Sequence, residues 1–155
     1  MITDIYQIVE VSPLKYEIVI IGEISTYEKE IDPEVAWHLC NYSCWNDGEK
    51  PASGKLITFK NHDFIPTDKF LGYVGDDIAF QISIKGGTWG TSNWAIPTLS
   101  GNWHYCKDKT DAMKYLKTNS VVAKIINRRK KGCNMYAKAD LQSRKNNLNK
   151  NIYDD

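Results

Sequence analysis

Long apolar runs are missing from this chain. The longest spans only residues 18–21, against the roughly 18 residues that a membrane-spanning helix needs, so the sequence excludes a helical membrane protein. No charged-then-apolar leader pattern opens the chain, and the expected location is the cytoplasm. Cysteine is sparse. Cys40, Cys44, Cys106 and Cys133 could close two bridges in an exported domain, but without an export pattern they read as reduced thiols. No linker, low-complexity tract or solenoid repeat divides the 155 residues, a length that suits one hydrophobic core. A Walker-type phosphate loop is absent too, because no Lys follows the last glycine of the glycine-rich stretch.

What is present is ordinary globular composition, 42% hydrophobic and 25% charged, with an uneven distribution of charge. Residues 1–78 hold 14 acidic and 6 basic side chains, whereas residues 79–155 hold 5 acidic and 14 basic ones. The halves are therefore −8 and +9, which restores the net +1 of the whole. Within residues 124–150, nine Lys or Arg face the single acid Asp140. Such a split predicts either an anionic partner for the C-terminal part or attraction between the halves.

Periodicity predicts an α+β domain. Residues 5–11 and 16–24 are rich in Ile, Val and Tyr and flank Ser12, Pro13, Leu14 and Lys15, the pattern of a β-hairpin. Asp32, Pro33 and Glu34 then supply an N-cap, a proline at the first helical position and an acid at the positive helix end. The helix they open places Val35, Leu39 and Tyr42 on one face beside Ala36 and Cys40. Strands are predicted over 56–60 and 78–85, the second alternating with Phe80 and Ile82 inward. Helices follow over 110–117 and 120–131, the latter with an apolar stripe of Val121, Val122, Ile125 and Ile126 and with Gly132 at its cap. The expected organisation is a single domain over 1–133, with a small antiparallel sheet, one inter-strand helix and C-terminal helices. A basic, polar tail with weak helical character follows over 134–155.

Several constellations carry candidate chemistry. Trp37-His38-Leu39-Cys40 and Trp103-His104-Tyr105-Cys106 share a W-H-x-C pattern. With Cys44 one helical turn after Cys40, the donors Cys40, Cys44, His104 and Cys106 could surround zinc. The spacing matches no common zinc module, and cysteines on apolar faces usually serve as small buried residues, so no metal and no cofactor are expected. Pairing Cys44 or Cys106 with His104 or His62 as a nucleophile is possible in principle, yet no local sequence marks an activated thiol. Gly75-Asp76-Asp77 resembles the metal-binding hairpin of palm-type polymerases, but in so short a chain it reads as a tight turn.

Two features point to binding instead. The Gly- and Trp-rich stretch over 86–103 offers Trp89, Asn93, Trp94 and Trp103 as an aromatic surface for a nucleotide base, a sugar or a protein hot spot. The bland alternative puts the tryptophans in the core and the glycines in turns. Lys124, Arg128, Arg129, Lys130, Lys131, Lys138, Arg144 and Lys145 could neutralise phosphates, although cations in a last helical turn also meet the negative helix end.

The leading expectation is a non-catalytic binding protein, a regulatory or inhibitory accessory factor acting on a host protein or a nucleic-acid complex. Richness in Asn, Lys, Ile and Tyr fits an AT-rich genome such as a phage's. The alternatives are a direct nucleic-acid binder using residues 124–150 and a small-ligand binder using residues 86–103. No membrane partner is expected.

Overall fold

The computed structural model describes residues 1–41, 51–70, 76–83 and 93–131. The predicted hairpin forms and is longer than its apolar runs: β1 (Ile2–Ser12) pairs antiparallel with β2 (Lys15–Thr26). Ser12 faces Lys15, so Pro13 and Leu14 make the turn, and Leu14 adopts φ 62°, a left-handed conformation that non-glycine residues seldom take. Ile5 pairs with Gly22 and Tyr6 with Ile20, which leaves Ile21 as the extra residue of a bulge. The bulge shifts the alternation, so Ile21 and Ile24 reach the same core as Ile5, while Ile18 packs with Ile8 on the other side.

Helix α1 (Pro33–Cys40) starts where its cap predicts, with the Asp32 carboxylate accepting from the Glu34 N–H at 2.9 Å. Val35, Ala36, Leu39 and Cys40 are buried on its inner face; Tyr42 lies outside the described residues. A contact from the next part of the chain holds this start in place. Buried His62 accepts the Asp32 N–H through Nε2 at 3.1 Å, while its Nδ1 lies 2.9 Å from the Lys60 carbonyl, to which it donates. Both ring nitrogens are thereby satisfied by backbone.

Five further strands complete the sheet: β3 (Ile57–Phe59), β4 (His62–Pro66), β5 (Ile78–Gln81), β6 (Trp94–Pro97) and β7 (Trp103–Cys106). The order is β3-β4-β2-β1-β5-β6-β7 with every pairing antiparallel. The fold is α+β, as periodicity predicts, but its sheet is larger. Strands β4, β6 and β7 are only four or five residues long, too short for alternation to declare them. Much of the supposed Gly/Trp loop is in fact the β6–β7 hairpin, whose turn uses Gly101 at φ 86°. Of the strand expected over 78–85, Ile78–Gln81 is strand, and residues 84 and 85 lie outside the described residues. Of Gly75-Asp76-Asp77, Gly75 lies outside the described residues, and Asp76 adopts φ 54°, a left-handed conformation that suits a turn.

The sheet buries both faces. Ile5, Ile78, Phe80 and Ala95 point to a core shared with α1, whereas Ile8, Ala79, Trp94, Ile96 and Cys106 point to a core shared with the C-terminal helices. Those helices are α2 (Lys109–Asn119) and α3 (Val121–Lys130). Ser120 ends the first and caps the second, accepting the Ala123 N–H at 3.1 Å from a fully buried position. The buried stripe of α3 is Val122, Ala123, Ile125 and Ile126, with Val121 only half-buried. The expected Gly132 cap and the tail over 134–155 lie outside the described residues.

Gly22 offers a direct test of the packing between β2 and β4. A Cβ there would run into the Phe64 ring and approach the Ile65 carbonyl oxygen to 2.9 Å. Gly22→Ala is expected to lower stability by about 1–3 kcal/mol in a denaturant titration, and Phe64→Leu in the same chain should recover part of that loss. Unchanged stability of Gly22→Ala would contradict the register.

Candidate functional site

Consecutive helices α2 and α3 turn one side of the molecule basic. Residues 107–131 carry Lys107, Lys109, Lys114, Lys117, Lys124, Arg128, Arg129, Lys130 and Lys131 against Asp108 and Asp111, and all nine cations are exposed except half-buried Arg129. The inward positions are apolar because they cover the sheet, so the charges are left facing solvent. Lys109, Lys130 and Arg129 have partners inside the fold. Lys109 donates to the Tyr6 hydroxyl at 3.0 Å and sits 4.5 Å from that ring's centroid. Lys130 lies 5.5 Å from the Tyr16 ring centroid, and Arg129 faces Glu10. Burial raises the Glu10 carboxyl above its ordinary range, with the Arg129 charge pulling the other way.

Between α2 and the β1–β2 hairpin runs a groove of about 650 Å³, lined by Tyr6, Tyr16, Glu17, Ile18, Lys109, Met113 and Lys117. A second hollow along α2, lined by Lys109, Thr110, Met113, Lys114, Lys117 and Thr118, shares Lys109, Met113 and Lys117 with it. Tyr6 is backed by buried Trp94, their ring centroids 5.9 Å apart. Neither tyrosine was a sequence candidate. Their signal was present in the strand alternation, since Tyr6 and Tyr16 share a face with Ile8 and Ile18.

On the opposite face a cleft of about 390 Å³ separates α1 from the β6–β7 turn, and its walls include Glu34, Trp37, His38, Leu99, Asn102 and Trp103. Trp103 is braced edge-on by Phe80 at 6.1 Å, and His38 contacts Trp37 at 5.1 Å and Phe59 at 5.5 Å. The opposing turn is closed by Thr98, whose N–H donates to the Asn102 carbonyl at 3.1 Å. It is tied to α2 through Asp76, which accepts from the Leu99 N–H at 3.5 Å and the Tyr115 hydroxyl at 3.2 Å. Burial first, and Asp76 second, push the Tyr115 hydroxyl up to about 12.

No protein-family model, curated protein or solved structure matches this chain. The reading of its sites therefore rests on geometry.

Of the aromatic candidates, Trp103 lines the cleft, Trp94 is in the core and Asn93 is a latch whose side-chain amide donates to the Lys107 carbonyl at 3.0 Å. Lys124, Arg128, Arg129, Lys130 and Lys131 belong to the basic layer. Trp89, Lys138, Arg144, Lys145 and Cys44 lie outside the described residues. The two W-H-x-C segments are not structural repeats. On the helix, His38 is exposed and Cys40 buried, whereas on the strand His104 and Cys106 share a face. Cys40 and Cys106 sit in cores on opposite faces of the sheet, so Cys40, His104 and Cys106 cannot share one ion. Among the described residues there is no group of three or more His, Cys, Asp or Glu placed to hold a metal.

The candidate nucleophile pairs fare no better. His62 is engaged by backbone on both nitrogens, and the His104 ring stacks on Tyr115 at 4.0 Å. Burial, then Asp111 and Asp108, push the Cys106 thiol up to about 11, and Cys40 is raised by its burial and by Asp77. A thiol at about 11 is roughly one part in a thousand thiolate at pH 8. Peptide mapping after iodoacetamide treatment at pH 8 should therefore find Cys106 modified far more slowly in the folded protein than in denaturant. Equal rates in the two states would contradict its burial.

Proposed function

We propose that this chain is a non-catalytic, regulatory accessory protein that binds nucleic acid through the α2–α3 layer and the adjoining groove. The observation that carries this reading is the groove itself, in which Tyr6 and Tyr16 are flanked by Lys109, Lys117 and Lys130. Aromatic faces set among cations suit single-stranded nucleic acid, whose unpaired bases stack while its phosphates meet lysines. Lys114, Lys124 and Lys131 are exposed on the same two helices and extend the positive field beyond the groove. Glu17, also in the lining, opposes the anion locally and disfavours a phosphate at that end.

A non-catalytic role is supported by thiols held protonated and by histidines engaged in packing and backbone hydrogen bonds. An accessory protein of this kind would act by occupying a strand rather than by altering it.

Anisotropy titrations of a labelled single-stranded oligonucleotide test the reading. If about four phosphates are neutralised, affinity should fall roughly fiftyfold between 50 and 200 mM salt, at the slope of about 0.7 per phosphate that single strands show. Replacing Lys117 and Lys124 with Gln should weaken binding and reduce the salt slope by about 0.7 per lysine that meets a phosphate. Tyr16→Ala should weaken single-strand binding by about 1–3 kcal/mol, the worth of one stacked base. Salt-independent affinity, or affinity indifferent to both lysines, would overturn the proposal.

A further inference from the structure

The cleft between α1 and the β6–β7 turn has the opposite chemistry to the basic layer. We infer that it is a binding site for an organic ammonium group, such as a quaternary amine or a methylated lysine side chain. Three observations lead there. Two indoles, Trp37 and Trp103, stand in its walls with the His38 ring beside them, and indole is the side chain whose ring face attracts a cation most strongly. Among the described residues the only carboxylate in the lining is that of Glu34, and no Lys or Arg joins it. The chain leading into α1, residues 28–34, carries Glu28, Glu30 and Asp32 besides Glu34, against the single Lys29, a sequence excess of negative charge that favours a cation over an anion.

Glu34 also has a structural reason to be acidic, since it sits in the first turn of α1, where negative charge meets the positive helix end. That reason accounts for the charge. It does not account for two partly exposed tryptophans from distant parts of the chain converging beside it. Trp103 is set by the strand alternation that turns His104 and Cys106 to the other face, and Phe80 holds its ring edge-on. Trp37 is set by the helical period that buries Ala36 and Cys40. At about 390 Å³ the cleft falls in the size range of small-ligand pockets and takes an ammonium head together with the stem that carries it.

The site lies on the face of the sheet opposite α2 and α3, so its occupancy is independent of the nucleic-acid reading. Its failure would leave that reading untouched.

Calorimetric titration with three probes tests the inference. Choline represents a free metabolite, a short peptide carrying trimethyllysine represents a protein-borne cation, and 3,3-dimethylbutan-1-ol is the uncharged isostere of choline. At least one cationic probe should bind saturably, and the isostere should bind about tenfold more weakly or less. A preference for choline or for the peptide identifies the source of the cation, and either preference supports the site. Glu34→Lys should abolish binding. Trp37→Ala should do the same and, being only partly buried, keeps the test available if Trp103→Ala fails to fold. Oligonucleotide affinity should survive in Glu34→Lys. Equal affinity for the uncharged isostere, undiminished binding in Glu34→Lys, or no saturable binding by either cation up to about 10 mM, a very weak affinity on the usual scale, would overturn the proposal.

Discussion

Where the adjacent strands β1 and β5 meet, apolar side chains are buried on both faces, and the rest of the molecule follows from that. Ile5, Ile78 and Phe80 point one way and Ile8 and Ala79 the other, all of them fully buried. A sheet with two apolar faces needs a layer on each. Here α1 supplies one and the α2–α3 pair the other. Neither layer could be exchanged for the other, because the residues of each core are fixed by the two-residue alternation of the strands and by the Ile21 bulge that resets its phase.

This division also separates the chemistry. The acid-rich chain around α1 lies on one side of the sheet, and the lysines and arginines of α2 and α3 lie on the other. The sheet stands between these two charge sets in the described part of the chain. Local pairings do exist, notably Arg129 facing Glu10, but these involve the hairpin next to α3. The cost of that arrangement is visible in the raised Glu10 carboxyl, whose burial outweighs the help of its neighbour.

How legible this was depends on the element. The β1–β2 hairpin, the Asp32 cap and the two C-terminal helices announced themselves through long periodic runs and through Ser, Asp and Pro at helix starts. The alternation at Ile78 and Phe80 was equally readable, but the burial of Ala79 was not, because a small residue between two large ones looks the same on a solvent face as against a helix. Strands β4, β6 and β7 were too short to show a period. The basic candidates in α3 were found from charge alone, whereas the tyrosines beside them were read only as strand formers. The repeated W-H-x-C pattern misled in one way and informed in another. Its cysteines and histidines part company because one copy is helical and the other extended, yet its tryptophans come to line the same cleft.

The central claim is that the sheet separates the basic face, proposed to bind nucleic acid, from a second face next to the acid-rich chain around α1. Amide hydrogen exchange with and without a saturating single-stranded oligonucleotide tests it most directly. The account predicts slowed exchange in α2, α3 and the strand residues around Tyr6 and Tyr16, with no change in α1 or the β6–β7 turn. Protection centred on α1 and that turn, or spread equally over both faces, would contradict it.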